Sequence, residues 1–545
     1  MKKVGNKPMN LRSLKRNLNI NLDSWLFISI ILSFFLLAPI VTLFTSLASQ
    51  NIDTFIHISK TLLPEYIKNS FLIALFTGLF TMVIGVSTAW ILTMYEFKFS
   101  KIINVGLILP LAIPTYIAGY VYSGIFSYTG IISRTARNIF GYNLNLDVMN
   151  IYGVIFIFTF FLYPYVFIIT RSFFAKQSLS MLESAKVLGK SDTQTFFFVV
   201  LPLARTAITG GITLVIMEVL SAFGLPSYFG VQTFSTGIFR TWLTLGDTDA
   251  AINLAIILMG LVFTIIFIEK KSRGRRNYSF SNTKIRPINK KQLSNKHSVI
   301  AIIFCMVPIL FGFIIPLMQL ISWTFMTYKD FINYKFIKVI WNTFSIAIAG
   351  AILTTIIAVI ISNTSRLKKG KISKILSKLT TIGYSIPGAV IAIGVMTFFI
   401  FVDRKIFKQK VFYGTLFLMV FAYIIRYLAV AYNSVESGFD KIGMKFNEAS
   451  RTLGYGKTKT FFKVDIPMIK GSVIGAMILT FLEIIKELPL TLILRPFNFQ
   501  TLSTYSKQYV DDEMVQHSAI PSIVLILIGI IIIVFFETIN KKKEK

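Results

Sequence analysis

The chain carries the stretch Glu183-Ser184-Ala185-Lys186-Val187-Leu188-Gly189 and, at an offset of 265 in the numbering, the similar stretch Glu448-Ala449-Ser450-Arg451-Thr452-Leu453-Gly454. In both copies the glycine lies six residues after the glutamate, and a proline lies nineteen residues after it. Glycine commonly ends a helix, and the residue before a proline disfavours the helical conformation. Each copy therefore predicts a short helix stopped by glycine, a turn, and a second short helix that ends before the proline. In the first copy, Ser191 and Gln194 have the spacing of a capping box for that second helix.

The composition indicates a membrane protein. Hydrophobic residues make up 54% of the 545 residues, charged residues make up 15%, and the mean hydropathy is +0.69. A soluble protein of this length could not bury so much apolar surface. Twelve apolar runs are long enough for a membrane helix, which needs roughly 20 residues. They lie near 25–48, 70–94, 103–127, 152–170, 206–225, 252–268, 299–322, 343–362, 379–401, 412–432, 471–494 and 520–537.

The net charge is +32, and the basic residues are distributed along the chain as a membrane topology predicts. With a cytoplasmic amino terminus, 40 of the 56 Lys and Arg residues lie in cytoplasmic segments and 14 lie in the opposite loops. This asymmetry is the positive-inside rule, and it predicts that both termini and both polar stretches are cytoplasmic. Because topology accounts for the basic charge, we expect a lipid bilayer and no nucleic acid as partner. One outer loop departs from the rule, since residues 403–410 carry four basic side chains.

The chain divides into two similar halves. We expect a basic cytoplasmic tail (1–24), a first six-span half (25–268), a basic cytoplasmic linker (269–298), a second six-span half (299–539) and a cytoplasmic tail (540–545). Outside the polar stretches, Lys68-Asn69-Ser70-Phe71 matches Trp341-Asn342-Thr343-Phe344, and Ile113-Pro114 matches Ile386-Pro387, both at an offset of 273. Six spans per half give both halves the same orientation, so we expect parallel repeats related by an axis along the membrane normal.

At the polar stretches the chain resembles a known family. The pattern E-x-A…G…(I/L)-P is similar to the cytoplasmic EAA loop of binding-protein-dependent ABC importer permeases, although Ser184 and Ser450 replace the usual alanine. The resemblance implies an all-α membrane protein whose twelve transmembrane helices form two parallel six-helix repeats of the MetI-like permease type. In that family the loops dock on a separate ATPase subunit, here expected in two copies. The implied coupling residues are Glu183, Ser184, Ala185, Gly189, Glu448, Ala449, Ser450 and Gly454.

A glutamate follows each polar stretch inside the next span. Glu218 and Glu483 are again related by the offset of 265. An ionisable group at membrane depth costs at least ~2.5 kcal/mol, so it should face the bundle interior or water. Two interpretations stay open: the acids flank a transport pathway, or they form a buried ion pair or hydrogen bond that locks the two halves together. Lys486 and Glu487 lie close enough to Glu483 for local pairing. For Arg426 we expect the guanidinium to snorkel to the membrane edge.

Prolines interrupt the outer end of the fifth span in each half. Pro226 and Pro489 leave irregular backbone there, which is tolerated at membrane depth only where it lines a cavity or is buried in protein. Residues 487–496 (ELPLTLILRP) resemble the second half of permeases in the ferric-iron group of these importers. Related groups that carry thiamine, phosphonates or polyamines share much of this pattern. The candidates for the pathway or the contact between halves are Glu218, Glu483, Lys486, Glu487, Pro226 and Pro489.

Two classes of function remain. The favoured hypothesis is the permease subunit of an ABC importer in the bacterial cytoplasmic membrane, to which an extracytoplasmic binding protein delivers ferric iron. Three acids against two bases within the spans favour a cation. We expect no enzyme activity, no catalytic residue and no cofactor bound by this chain; the partner ATPase uses ATP, and a metal ligand set stays unidentified. The alternative is a twelve-span secondary transporter driven by an ion gradient, which does not account for the two polar stretches.

Overall fold

The computed structural model of the chain describes residues 24–46, 53–141, 146–175, 185, 187–273, 290–368 and 370–544. Its regular structure is helical, apart from a short parallel pair of strands, β1 (Tyr95–Glu96) and β2 (Lys291–Gln292). Most of the predicted basic tail and the middle of the predicted linker lie outside the described residues.

The first half is built from short and long helices. Its α-helices are α1 (Ser24–Ser46), α2 (Asp53–Thr61), α3 (Leu63–Met94), α4 (Ser100–Gly106), α5 (Thr115–Phe126), α6 (Ile131–Phe140), α7 (Ile151–Ala175), α8 (Asp192–Thr195), α9 (Leu201–Ser221), α10 (Gly224–Tyr228), α11 (Phe234–Phe239) and α12 (Thr248–Arg273). A 3₁₀ turn spans Leu109–Ala112, and π turns span Phe196–Val200 and Arg240–Thr244.

The second half repeats this order. Its α-helices are α13 (Asn295–Ile309), α14 (Ile315–Thr327), α15 (Tyr334–Leu367), α16 (Lys371–Ile382), α17 (Gly388–Val402), α18 (Leu416–Ile442), α19 (Lys445–Thr452), α20 (Lys457–Thr460), α21 (Ile466–Lys486), α22 (Pro489–Leu494), α23 (Leu502–Asp511) and α24 (Ala519–Glu544). The 3₁₀ turns are Tyr328–Phe331, Gly383–Ser385 and Val515–Ser518, and the π turns are Leu310–Ile314, Asp403–Phe407 and Phe461–Asp465.

Within the described residues, ten helices are long and apolar enough to cross a membrane. Two further spans are helix pairs with a sharp bend, of 94° between Ser100–Ala112 and Thr115–Phe140 and of 109° between Lys371–Ser385 and Gly388–Phe407. The predicted all-α membrane fold is therefore confirmed, with up to twelve spans. The apolar runs predicted near 103–127 and 379–401 each fall on one of these bent pairs.

The repeated Ile-Pro pairs account for both bends. Ile113 and Ile386 are extended, with ψ of 114° and 129°, and Pro114 and Pro387 precede the next helix directly. A proline disfavours the helical conformation in the residue before it and offers no N–H to the helix. Each apolar run thus continues through the membrane region, but its helix changes direction at the Ile-Pro pair.

The helices after the polar stretches run through Pro202 and Pro467, so the predicted end before each proline is wrong. Residues 193–221 and 457–486 each form one continuous helical span. A π turn ends just before each proline, and the N–H groups of Leu201 and Ile466 donate to carbonyls five residues earlier. The wider turn moves the proline ring away from the preceding carbonyls, so the helix is not broken.

The first span of each half packs against the other half. Ser29 Oγ of α1 lies 2.7 Å from Thr364 Oγ1 of α15. In the other direction, the Tyr122 hydroxyl of α5 donates to the carbonyl of Phe311, between α13 and α14, at 2.5 Å. This exchange of first spans joins the two halves in one bundle.

The repeated Asn-Ser and Asn-Thr pairs anchor the loops that follow the fifth spans. In the first half, Asn69 Nδ2 donates to the carbonyl of Gln232 at 2.9 Å, and Ser70 Oγ accepts from the N–H of Phe234 at 3.2 Å. The same two contacts recur in the second half, between Asn342 and Gln500 at 3.4 Å and between Thr343 and Leu502 at 2.8 Å. The residues repeated at offset 273 therefore form the same two hydrogen bonds in each half.

Candidate functional site

Each polar stretch ends at a glycine in the left-handed region, with φ of +77° at Gly189 and +85° at Gly454. The N–H groups of Lys190 and Tyr455 reach back to the carbonyls of Ala185 and Ser450, at 3.1 and 3.2 Å. This is the helix ending that glycine permits most readily. The predicted glycine stop is confirmed in the second copy, where α19 ends two residues before Gly454; most of the predicted helix before Gly189 lies outside the described residues.

The structure describes six of the eight predicted coupling residues. Glu183 and Ser184 lie outside the described residues. Ala185 and Ser450 are buried, whereas Gly189, Glu448, Ala449 and Gly454 are exposed. Ser450 Oγ lies 2.9 Å from the hydroxyl of Thr460, so the serine that replaces alanine in the second copy ties the two helices of the loop together.

The predicted capping box at the start of α8 is also present. Ser191 N donates to Gln194 Oε1, and Gln194 N donates to Ser191 Oγ, both at 3.2 Å. The box fixes where the chain re-enters a helix after Gly189.

Apolar side chains are exposed at equivalent positions of the two loops. Leu188 and Leu453, just before the glycines, are both 79% exposed. Phe197 and Phe462, which the offset of 265 also relates, are more than half exposed. Matched apolar groups on otherwise polar loops indicate a protein interaction surface.

A cavity of about 120 Å³ lies between the two halves. It opens beside the Ile113-Pro114 bend and beside the ends of α9 and α21. Its walls include Ile113, Pro114, Phe161, Tyr165, Glu218 and Gly224 from the first half, and Arg426, Tyr427, Glu483, Lys486, Glu487 and Pro489 from the second. Four of the predicted charged candidates therefore meet at one place.

Two ion pairs on the second half's side of the cavity involve those candidates. Lys486 Nζ lies 3.2 Å from Glu483 Oε1. Arg426 Nε lies 3.5 Å from Glu487 Oε2, and Tyr427 donates a hydrogen bond to the same carboxylate. Both pairs form within the second half, so neither is the predicted ionic lock between halves.

Arg426 also supports the bend of the ninth span. Its Nη1 donates to the carbonyl of Ile386 at 3.0 Å, which satisfies a backbone group at the break in the helix. The residue is 7% exposed. The prediction that Arg426 snorkels to the membrane edge is therefore wrong, because an acid and a free carbonyl inside the bundle hold the guanidinium there.

Glu218 has a different environment. Its Oε1 accepts a hydrogen bond from the Tyr384 hydroxyl of the second half, at 3.4 Å. Among the described residues, Glu218 has no cation within 4 Å. Glu218 thus faces the cavity with a neutral hydrogen-bond donor that comes from the other half.

The two walls of the cavity differ in polarity. The residues that the offset of 265 matches to Arg426, Lys486 and Glu487 are Phe161, Ser221 and Ala222, and all three line the cavity. Glu218 is the acid that matches Glu483. The first half therefore supplies a mostly apolar wall with one carboxylate, and the second half supplies the ion pairs.

The two candidate prolines are separated. Pro489 lines the cavity, where α21 has ended and α22 begins. Pro226 is buried within α10 and does not line it; Gly224 occupies the position that matches Pro489. The interruption of the fifth span is present in both halves, but only in the second half does a proline of that interruption line the cavity.

The repeated sequence, the loops and the cavity between halves can be compared with known proteins. The profile of the family described as "Binding-protein-dependent transport system inner membrane component" matches residues 65–268 and again 356–545. The chain belongs to this family. Two matches in one chain agree with two fused permease halves, and they identify the chain as an inner membrane component of a transport system.

Three curated relatives illustrate the similarity of this permease. The Fe(3+)-transport system permease protein of Haemophilus influenzae is 25% identical over 86% of this chain and 88% of its own length. The ferric transport system permease protein of Actinobacillus pleuropneumoniae is 21% identical over 94% of this chain and 77% of its own length. The sulfate transport system permease protein of Synechocystis is 28% identical, but over 37% of this chain and 69% of its own length.

Sequence reasoning missed the tyrosines of this permease's cavity. Tyr384 contacts Glu218, and Tyr427 contacts Glu487. Tyr384 contacts the cavity carboxylate from two residues before the repeated Ile386-Pro387 pair, and its counterpart Leu111 lines the cavity itself. The spacing of Tyr384 from the Ile-Pro pair could have identified it, because the bend turns this position toward the space between the halves.

Proposed function

We propose that this chain is the complete membrane pathway of an ATP-driven importer, and that its two polar stretches each dock one copy of an ATPase subunit. The support is the exposure of the matched leucines Leu188 and Leu453 beside the two left-handed glycines. Two equivalent docking loops on one chain call for two ATPase copies. Movement of those copies is transmitted through the loops to the helices that follow them.

We orient the chain with both loops in the cytoplasm. The positive-inside count supports this assignment. The pairing of β1 with β2 brings the end of the basic linker beside the loop after α3. Trp25, at the start of α1, packs on Phe461 beside the second loop with ring centroids 4.5 Å apart. The amino-terminal end, the linker and that loop then share the cytoplasmic face.

We assign the substrate route to the cavity between the halves. It lies beside the Ile113-Pro114 bend and the interrupted fifth spans of both halves, which is where parallel repeats place a shared pathway. In this state the cavity holds about 120 Å³, enough for a small ion with a few waters. Rocking of the halves, driven from the coupling loops, would open it to one side and then to the other.

We propose ferric iron as the substrate. Three carboxylates and two cations line the cavity, and the two cations are held by Glu483 and Glu487. Glu218 is left to face a positive ion. A sulfate dianion would meet that carboxylate without a free cation, although sulfate permeases are among the partial relatives. Thiamine, polyamine and phosphonate remain the substrates to be excluded by experiment; family membership leaves the ion-gradient alternative without support.

Gentle purification of this chain from its native membrane tests the assembly. We expect an ATPase at two copies per chain and a binding protein that carries iron, measured by quantitative mass spectrometry and metal analysis. Recovery of the chain without an ATPase, under conditions that preserve other importers, would contradict the proposal. A binding protein loaded with sulfate, thiamine, polyamine or phosphonate would contradict the substrate assignment alone.

A further inference from the structure

The second coupling loop is held by a buried polar network. Arg366, near the end of α15, places Nη1 3.2 Å from Asp465 Oδ1 and donates from Nη2 to the carbonyl of Gly443 at 3.0 Å. The other oxygen of Asp465 accepts from Asn447 Nδ2 at 2.8 Å. The Asp465 side chain is 1% exposed and that of Arg366 is 10% exposed. One guanidinium thus joins Gly443, two residues before α19, to the π turn after α20.

Two of the matching positions of the first loop, Thr93 and Val200, lie within the described residues, and neither takes part in a network of this kind. Thr93, which matches Arg366, bonds to the carbonyl of Ala89 in its own helix at 2.7 Å. Val200, which matches Asp465, is a buried apolar side chain. In its place Trp90 of α3 packs on Phe196, with ring centroids 4.9 Å apart. The two loops are therefore attached to their second spans by different chemistry.

The helix that carries Arg366 packs against α21, which supplies part of the cavity wall, and reaches the loop that follows α22. α15 is 34 residues long without interruption. Near its middle, a Cβ on Gly350 would lie 2.9 Å from Ile484, the neighbour of Glu483 in sequence. At its outer end, Thr343 holds the N–H of Leu502 at 2.8 Å. One rigid element therefore links the coupling loop, the cavity wall and the loop after α22.

We propose that Arg366 is a positioning residue for coupling, which clamps the second loop to α15 so that the loop and this helix move as one body. Where the structure describes it, the first loop is attached to α3 by aromatic packing and not by an ion pair, so it can slide on this helix more easily. The two ATPase-facing loops are then mechanically unequal, and the second transmits most of the motion to the cavity. This inference rests on the proposed ATP-driven function.

The test uses the full complex of this chain with its ATPase and binding protein in proteoliposomes. Arg366→Lys keeps the charge, but one ammonium cannot reproduce the forked contacts to Asp465 and Gly443. We expect the amount of ATP hydrolysed per substrate transported to rise at least about fivefold, within the usual range of coupling effects. Thr93→Val, at the matching position of the first half, is the control and should leave the ratio unchanged.

A second variant separates positioning from folding. The double change Arg366→Gln with Asp465→Asn removes both charges together, so no buried charge is left unpaired. We expect this variant to assemble with the ATPase and to hydrolyse ATP, yet to lose coupling to the same degree. Unchanged coupling in both assembled variants would overturn the clamp, even while the wild-type complex transports. Absence of ATP-dependent transport by the wild-type complex would instead overturn the proposed function.

Discussion

Arg426 and Glu487 form an ion pair across two spans of the second half, with 3.5 Å between Nε and Oε2. The arginine also holds the carbonyl of Ile386, and the carboxylate also accepts from the N–H of Leu490 at 3.1 Å. The pair therefore connects the two interruptions of the helical backbone in the second half, namely the Ile386-Pro387 bend and the start of α22.

We predict that Arg426→Leu destabilises the protein by about 3–5 kcal/mol, because it leaves the Glu487 carboxylate buried without a cation. The double change Arg426→Leu with Glu487→Leu should cost less than the single change, since no unpaired charge remains. Denaturation of the purified protein in mild detergent measures both. A double variant less stable than Arg426→Leu alone would contradict this role of the pair.

Gly388 should tolerate no side chain. A Cβ there would lie 2.9 Å from Glu487 Oε1 and 3.4 Å from the Arg426 guanidinium carbon. We predict that Gly388→Ala lowers stability by roughly 1–3 kcal/mol, as expected for overpacking. Gly260→Ala is the matched control, because nothing lies within 4 Å of its added Cβ. Equal thermal stability of the two variants would argue against close packing around the ion pair.

The two left-handed glycines should be required for coupling. We predict that Gly189→Val with Gly454→Val leaves the chain inserted in the membrane but separates ATP hydrolysis from transport, because a β-branched residue strains the left-handed conformation. Asparagine adopts this conformation more readily, so the corresponding double asparagine variant should retain more coupling. Transport per ATP in proteoliposomes reports the effect. Wild-type transport by the valine variant would remove the support for these coupling loops.

Glu218 should matter more for transport than for folding. Glu218→Gln keeps the shape of the side chain and can still accept from Tyr384, but it removes the carboxylate charge from the cavity. We predict a fall in iron uptake of about tenfold or more, corresponding to roughly 1.4 kcal/mol, with little change in unfolding temperature. Glu218→Asp should retain more activity. An equal fall in iron uptake for Glu218→Gln and Glu218→Asp would mean that shape, and not charge, is required.

The repeats predicted much of this architecture. The offset of 265 located both polar stretches and the pair Glu218 and Glu483, while the offset of 273 located the loop anchors at Asn69 and Asn342. Local rules were sufficient where the cause is local, as at Gly454, whose positive φ follows from its place after a helix.

The contacts that the sequence did not reveal are those between distant segments. Arg426 was expected at the membrane edge because nothing near it in sequence identifies Glu487 or the Ile386 carbonyl as its partners. A helix end was expected before Pro467 because proline disfavours the helical conformation in the residue before it. The π turn Phe461–Asp465 allows the helix to continue through this proline. Hydropathy also could not distinguish a straight span from one bent by an Ile-Pro pair, since both are equally apolar.

The most direct measurement of the central claim is uptake of ferric iron into proteoliposomes that contain this chain, its ATPase and its binding protein. We predict uptake that requires ATP inside the vesicles and binding protein outside, that excess sulfate does not reduce, and that Glu218→Gln reduces strongly. ATP-dependent uptake of sulfate in place of iron, or iron uptake that continues without ATP, would contradict the account.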